Sequence, residues 1–214
     1  MQTTIIIDEE FKDLLPVLDK DTYAALEENL ITNGCRDALI LWNDILIDGH
    51  NRYEICTKHD IPYNTVNKDF DSREEVLIWI ISNQVSRRNL TQMQLSFYRG
   101  LHYKADRQIV TNARGINQHS EVDGHNDQQP PTATRLANQY RVSSKTIRRD
   151  AAVAEAIEMI GEISPEAKRK ILSGEILVDK KKLQVLSAGP KELIEEVAAA
   201  IETGAYEKER PAPK

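Results

Sequence analysis

The chain has 214 residues, enough for one large domain or two small ones with modest cores. Apolar residues make up 40% and charged residues 29%, which is typical of a globular protein and excludes a disordered or membrane chain. The longest apolar run, residues 76–81, is too short to cross a bilayer, and two cysteines are too few for a disulfide framework. We therefore expect a cytoplasmic protein without a membrane partner.

The net charge of −6 argues against a protein that binds every polyanion. The charge is nevertheless unevenly distributed, because the short segment from Arg135 to Asp150 holds five basic residues and one acidic residue. A basic stripe on an acidic protein indicates one dedicated nucleic-acid surface.

The first half mixes helix and strand signals. Asn43-Asp44 separates two short apolar runs and predicts a hairpin turn, and Asp21 is the expected N-cap of the second helix. The predicted elements are helices over 9–15 and 22–31, strands over 38–42 and 45–47, a helix from about 50 to 58, and a strand over 63–67.

Helices dominate the rest of the chain. Ser72 to Glu75 and Thr91 to Gln94 both have the form of a capping box, and each predicts the start of a helix. The second of these helices is expected to end near residue 108. The predicted fold class is an α+β N-terminal domain followed by an all-α domain. Its parts are an α+β domain over 1–108, a polar linker or insertion over 109–131, a helical domain over 132–188, and a C-terminal helix with a disordered tail over 189–214.

Residues 134–149 have the pattern of a helix-turn-helix. Leu136 and Ala137 give the first helix an apolar face, Val142 fills the corner, and Ile147 anchors the second helix. Arg141 departs from the pattern, because related motifs usually carry glycine at this turn position. The alternative is an ordinary helical hairpin with a solvated basic face.

The second helix of this pair would present polar and basic side chains to the major groove of double-stranded DNA. A homodimer is expected, because helix-turn-helix proteins usually read two half-sites. The candidate DNA-binding residues are Ser143, Ser144, Lys145, Thr146, Arg148 and Arg149.

A second motif lies where an apolar strand meets Gly49 and a helix opens directly beyond it. Glycine permits a sharp turn, and the start of the helix offers backbone amides to an anion. Arg52 could add a bidentate contact to phosphate oxygens. A purely structural strand-to-helix turn is the alternative.

Together with residues 83–91, this turn resembles the ParB/sulfiredoxin-like superfamily. Gly49 and Arg52 match its strand-turn-helix motif, and Asp48-Gly49-His50 is similar to the branch that carries Asp-Gly-His-His-Arg. In the later motif, Glu-Asn-x-x-Arg, Arg87 matches the arginine. The resemblance covers roughly residues 11–186, with the helix-turn-helix following the α+β part as in ParB proteins.

The resemblance implies binding of CTP with magnesium ion at this turn. The implied nucleotide or phosphate contacts are Gly49, His50, Asn51, Arg52, Asn83, Gln84 and Arg87. The family glutamate is replaced by Asn83, so binding is expected more than hydrolysis, no catalytic residue is assigned, and no metal ligand is assigned.

The leading hypothesis is therefore a CTP-responsive DNA-binding protein for partition or transcriptional regulation of a plasmid or mobile element. Its expected partners are DNA, a second copy and a partition ATPase, and its expected location is the nucleoid or a plasmid. One alternative is an ATP-dependent small-molecule kinase that uses Asp48 and His50. Another is a DNA-binding regulator that has lost nucleotide binding. Sulfiredoxin activity is not expected, because His50 occupies the position of the essential cysteine.

Overall fold

The computed structural model describes residues 4–15, 18–86, 90–117 and 130–206, without the side chains of 114–117. The chain divides into two compact units, residues 1–84 and 85–214.

The first unit is α+β. Its elements are α1 (Glu9–Asp13), α2 (Lys20–Asn33), β1 (Leu39–Trp42), β2 (Ile45–Asp48), α3 (His50–Lys58), β3 (Thr65–Asn67) and α4 (Arg73–Val85). The predicted elements of this half are therefore confirmed, with shifts of one to a few residues at their ends.

Three strands form the sheet, in the order β2-β1-β3. β1 and β2 are an antiparallel hairpin, and Asn43 and Asp44 both have positive φ, as a tight two-residue hairpin turn requires. β3 pairs with β1 in parallel. The buried face consists of Leu39, Leu41 and Leu46, so the hairpin is held by apolar packing directly beneath the turn that leads into α3.

Side-chain caps set where the helices begin. The cap of α2 is Asp19, whose carboxylate accepts from the amide of Thr22 at 2.8 Å, so the expectation of Asp21 was wrong. The capping interaction predicted at Ser72 is present, since Ser72 Oγ accepts from the amide of Glu75 at 3.2 Å. Capping of this kind contributes about 1 kcal/mol to a helix.

Helices alone are found in the described part of the second unit. They are α5 (Gln92–Asn117), α6 (Thr132–Tyr140), α7 (Ser144–Ile163), α8 (Pro165–Ser173), α9 (Lys180–Leu186) and α10 (Lys191–Glu202). α7 lies at the centre and contacts α5, α6, α8, α9 and α10. Its inward face is buried along its length, at Ile147, Val153, Ile157 and Ile160 among others.

α5 differs from its prediction in two ways. It continues to Asn117 instead of ending near 108, and it belongs to the second unit instead of the first. The reason is its packing on α7: Ser96 Oγ donates to Asp150 at 2.6 Å and Arg99 Nε donates to the same carboxylate at 2.7 Å. Gly100 lets the helices cross closely, since a Cβ there would lie 2.2 Å from the backbone oxygen of Asp150.

α10 is packed within the unit, because Ile194, Ala198 and Ile201 are fully buried. Lys170 on α8 donates to the carbonyl oxygen of Glu202 at 3.0 Å, which caps the end of α10. The central part of the predicted linker and the predicted disordered tail lie outside the described residues.

Candidate ligand-binding cavity and cationic helix face

The turn between β2 and α3 depends on Gly49. Its φ of 98° lies in the left-handed region, and a Cβ there would lie 2.7 Å from the side chain of the fully buried Leu39. No side chain caps α3. The first amides of this helix therefore have no acceptor within the helix and no side-chain cap.

Arg52 is held by its own unit. Its Nη2 donates to Asp48 Oδ2 at 3.1 Å and to the carbonyl oxygen of Ala38 at 3.3 Å. Its Nε is buried and has no hydrogen-bond partner among the described residues. The guanidinium thus ties the start of α3 to β1 and β2, and the sequence motif did not reveal this structural role.

His50 lies in the first turn of α3 and is 8% exposed. Neither Nδ1 nor Nε2 has a hydrogen-bond partner among the described residues. Burial lowers the pKa of His50 below its ordinary value of 6.5, against the charge of Asp48, which acts to raise it. The ring is therefore neutral at pH 7. Because buried polar groups are nearly always paired, an orphaned imidazole suggests a partner that the protein alone does not supply.

A cavity of about 710 Å³ lies along one face of α3, within the size range of small-molecule sites. Its walls are mostly apolar and aromatic, with polar groups at intervals. It is lined by Ile7, Lys12, Leu15, Leu18, Tyr23, His50, Asn51, Tyr53, Glu54, Thr57 and Lys58. His50 and Asn51, two of the residues predicted from the turn, are thus brought to one site.

Two charged residues that line the cavity, Lys58 and Glu54, have hydrogen-bond partners. Lys58 donates to Glu27 at 2.7 Å, and the hydroxyl of Tyr23 donates to Glu54 at 2.9 Å. Lys12 has only a loose ion pair, 3.7 Å, with the exposed Glu9. Lys12 is therefore the cavity cation that is most easily redirected to an anionic ligand.

The residues predicted from the later motif stand apart from this cavity. Gln84 is buried on α4 and its Oε1 has no partner among the described residues, while Asn83 is half-buried beside it. Neither of them lines the cavity. Arg87 lies outside the described residues, so the predicted pairing of Gly49–Arg52 with Arg87 stays a prediction.

The described residues include side chains of the types that bind metal ions or act as thiol nucleophiles. Among them, no group of three or more His, Cys, Asp or Glu side chains could hold a metal ion. Burial raises the pKa of the Cys56 thiol to about 11, which makes it a packing residue and a poor nucleophile.

The start of α7 is stabilised by its own side chains. Ser143 Oγ accepts from the amide of Thr146 at 3.0 Å and lies 2.9 Å from the Thr146 hydroxyl. Ile147 is fully buried against Leu136 and Ala137 of α6, as predicted. The predicted DNA-contacting residues are therefore divided, since Ser143 and Thr146 first cap the helix while the basic side chains remain outside.

Four basic side chains around the start of α7 are exposed, and within the described residues none of them is in an ion pair. We call them the cationic face: Arg141, Lys145, Arg148 and Arg149. The other charges of this segment are neutralised. Asp150 is buried against Arg99, and Arg135 is paired with the buried Asp106 of α5.

The turn before α7 contains Arg141 with φ 55° and ψ 46°. This left-handed conformation is the one that glycine adopts without strain. The amide of Val142 bonds to the carbonyl of Ala137 at 3.0 Å and closes the end of α6. The turn geometry that the sequence put in question is thus formed with arginine in the place of glycine.

Two solved structures are similar to this chain over 89% of its length. One is the C2221 form of a Pnob8-like ParB-N domain, at 20% identity and a TM-score of 0.50, with 78% of that chain covered. The other is a pNOB8-like ParB N-domain, at 18% identity and a TM-score of 0.51, with 73% of that chain covered. The fold is that of a ParB N-domain. The predicted resemblance is confirmed at this level.

No protein-family model and no curated protein sequence matches the chain. None of the helices in the described ranges has the combined length and apolar character that a membrane crossing needs.

Of the residues that line the cavity, only His50 and Asn51 were predicted from the sequence. On α3, the spacing of His50, Glu54 and Thr57 follows one helix face and could have extended the prediction. The residues from α1 and from α2, such as Lys12 and Tyr23, carry no local signal, because only tertiary packing brings them beside α3.

Proposed function

We propose that this protein is a ParB-like DNA-binding protein that responds to a nucleotide and acts in partition or regulation of a plasmid or mobile element. The cationic face is the observation that carries the DNA-binding part. Four exposed cations, none in an ion pair with another described residue, surround the start of a helix that is capped by Ser143 and anchored by the buried Ile147. Such a helix suits the major groove, with its amino-terminal end near the phosphates.

The two neutralised charges add support. Asp150, at the end of the basic segment, would repel DNA if it were exposed, but it is 4% exposed and paired with Arg99. Its burial leaves the surface of this segment uniformly positive. Positive potential concentrated on one helix end favours contact with the phosphates of DNA.

The nucleotide part of the proposal is supported by the cavity. Its volume suits a nucleotide, the adjoining start of α3 has free amides, and His50 and Lys12 supply further phosphate contacts. CTP is the candidate that the family resemblance implies. A magnesium ion that accompanies it would be held largely by the phosphates and water.

DNA binding is tested by fluorescence anisotropy with a random-sequence duplex and with duplexes selected from a random library. We expect Arg148→Ala and Arg149→Ala each to cost about 1–3 kcal/mol in binding, if they contact bases, or to lower the salt slope by about one if they contact phosphate. Lys181→Ala is the matched control, because it removes an exposed cation of the same unit outside the cationic face.

Unchanged affinity and salt slope in both arginine variants would overturn the DNA-binding assignment. Calorimetry with CTP and with ATP, each with magnesium ion, tests the nucleotide part separately. CTP binding supports the proposal, ATP turnover supports the kinase alternative, and the absence of binding by both supports a regulator that keeps only the fold.

A further inference from the structure

The orphaned ring of His50 has a consequence for ligand binding, if the cavity takes a phosphate group as proposed above. A neutral imidazole has one N–H donor and one bare acceptor nitrogen. Phosphate oxygens only accept hydrogen bonds at neutral pH. A neutral His50 can therefore donate one hydrogen bond to such a ligand. Its other nitrogen is an acceptor and makes no hydrogen bond to a phosphate oxygen.

The charges that face the ring come from two elements. Asp8, Glu9 and Lys12 lie on or just before α1, and Asp48 lies at the end of β2. Two of the three carboxylates are already occupied by arginines, because Asp8 pairs with Arg73 at 2.9 Å and Asp48 pairs with Arg52 at 3.1 Å.

The remaining carboxylate, Glu9, is highly exposed and only loosely paired with Lys12. Among the described residues, no carboxylate near the ring is thus both buried and free to hold a proton on it. Burial dominates instead and keeps the ring neutral in the free protein.

We propose that an anionic ligand in this cavity, the phosphate end of a nucleotide, binds together with one proton that goes onto the free ring nitrogen of His50. The reaction is neutral imidazole plus solvent proton plus ligand, giving imidazolium bound to ligand. Both ring nitrogens then carry a proton, the nitrogen that faces the ligand makes a charge-assisted hydrogen bond, and the phosphate compensates the new positive charge. The inference rests on the nucleotide part of the proposed function and adds a pH-dependence to it.

The direction of the effect follows from linkage. The His50 pKa is low in the free protein and rises in the complex, so binding takes up a proton at pH values between the two. Affinity is greatest below the lower pKa and falls as the pH rises through the higher one. Within that window the dissociation constant should increase about tenfold for each pH unit.

The test uses the full-length protein with CTP and with inorganic pyrophosphate. The ligands titrate too, so the measured quantity is the ratio of the dissociation constants of wild type and His50→Gln, from about pH 5 to about pH 8. Glutamine can donate and accept but does not titrate. We expect the advantage of the wild type to disappear as the pH rises.

His59→Gln is the matched control. It removes the histidine at the other end of α3, which contacts Glu27 at 2.7 Å and does not line the cavity. Its ratio to wild type should not change with pH. Nuclear magnetic resonance titration of the histidine ring signals in the wild type gives the same information without depending on a variant's folding, and should show the His50 pKa rising when CTP is added.

The outcomes separate the two claims. If CTP or pyrophosphate binds while the His50 pKa stays unchanged, the proton uptake is refuted and the nucleotide site survives. If neither ligand binds at any pH in this range, the nucleotide part of the proposed function falls and this inference falls with it.

Discussion

The cavity beside α3 and the cationic face of α7 obtain their capacity to bind in opposite ways. In the first unit a polar side chain, His50, is buried and has no hydrogen-bond partner among the described residues. In the second unit the buried carboxylates Asp150 and Asp106 are paired with Arg99 and Arg135, and the exposed cations of the cationic face have no ion-pair partner in the described ranges. The cavity is concave and contains a polar ring whose hydrogen bonds are not completed by the described residues, while the cationic face is exposed and carries an excess of positive charge.

The buried ring of His50 and the exposed arginines of the cationic face suit different kinds of ligand. A buried imidazole gains from a small ligand that enters and completes its hydrogen bonds. Exposed arginines gain little from one small ion in water, but they gain from a long polyanion that releases many counterions at once. The predictions below test this contrast, beginning with the largest expected effect.

Removing the Asp150 carboxylate should be the most damaging change. Asp150→Ala leaves Arg99, whose side chain is 12% exposed, as a buried cation without its ion-pair partner. We expect a loss of about 3 kcal/mol in the free energy of unfolding, measured by urea unfolding followed by circular dichroism. The matched control is Glu195→Ala, which removes an exposed carboxylate that pairs with Lys191 at 3.7 Å and should cost under about 1 kcal/mol. Equal losses in the two variants would contradict the role of the buried pair.

Gly49→Ala tests the first unit in the same way. Alanine at this position would have to keep the positive φ, and its Cβ would also collide with Leu39. We therefore expect a loss of about 2–3 kcal/mol in the free energy of unfolding. Gly174→Ala, in the second unit, has a positive φ in the same left-handed region but meets no atom within 4 Å, and should cost about 1 kcal/mol when unfolding is followed by circular dichroism. Both tryptophans, Trp42 and Trp79, belong to the first unit, so their fluorescence reports its unfolding. The steric argument fails if the two variants lose the same amount.

The neutral state of His50 should make the first unit sensitive to acid. Its pKa is lowered in the folded state, so its contribution to stability is present above the unfolded pKa of about 6.5 and is lost as the pH falls from that value through the lower folded pKa. The loss should not exceed about 1.4 kcal/mol for each pH unit, for one proton. In tryptophan-monitored unfolding, His50→Gln should remove this dependence and His59→Gln should not. A wild type and a His50→Gln variant with parallel pH profiles would show that the ring is not kept neutral by burial.

The smallest effect is expected at Arg141, where turn geometry and charge can be separated. Arg141→Gly should raise the free energy of unfolding by up to about 1 kcal/mol, because glycine accepts φ 55° without strain. Arg141→Ala removes the same charge but keeps the strained conformation. The two variants should weaken DNA binding equally and differ only in stability. A stability difference of zero would mean that the arginine is not strained.

Local sequence signals predicted both helix starts correctly. Gly49 marks the turn into α3 because only a residue without a side chain fits there, and Ser143 marks α7 because its hydroxyl reaches the amide of Thr146. The positive φ of Gly49 belongs to a single residue, and the Ser143–Thr146 bond spans three. They can be read without knowing the fold.

Long-range features escaped the sequence. Asp150 counts as one negative charge in the basic segment, but its partner Arg99 lies 51 residues earlier and removes it from the surface. The length of α5 was not predicted either. Its final turns are polar and give no helix signal of their own, but they continue a helix whose earlier part is packed on α7. The cavity depends on α1, α2 and α3 together, and no local pattern predicts that combination.

The close crossing at Gly100 restricts which sequences can encode the second unit. The atom that an added Cβ would meet, 2.2 Å away, is a main-chain oxygen, so no substitution of a neighbouring side chain can create the missing space. A saturation library at position 100 should therefore return glycine alone among folded clones. Second-site suppressors should be rare, because they would have to shift the whole of α7 along or away from α5.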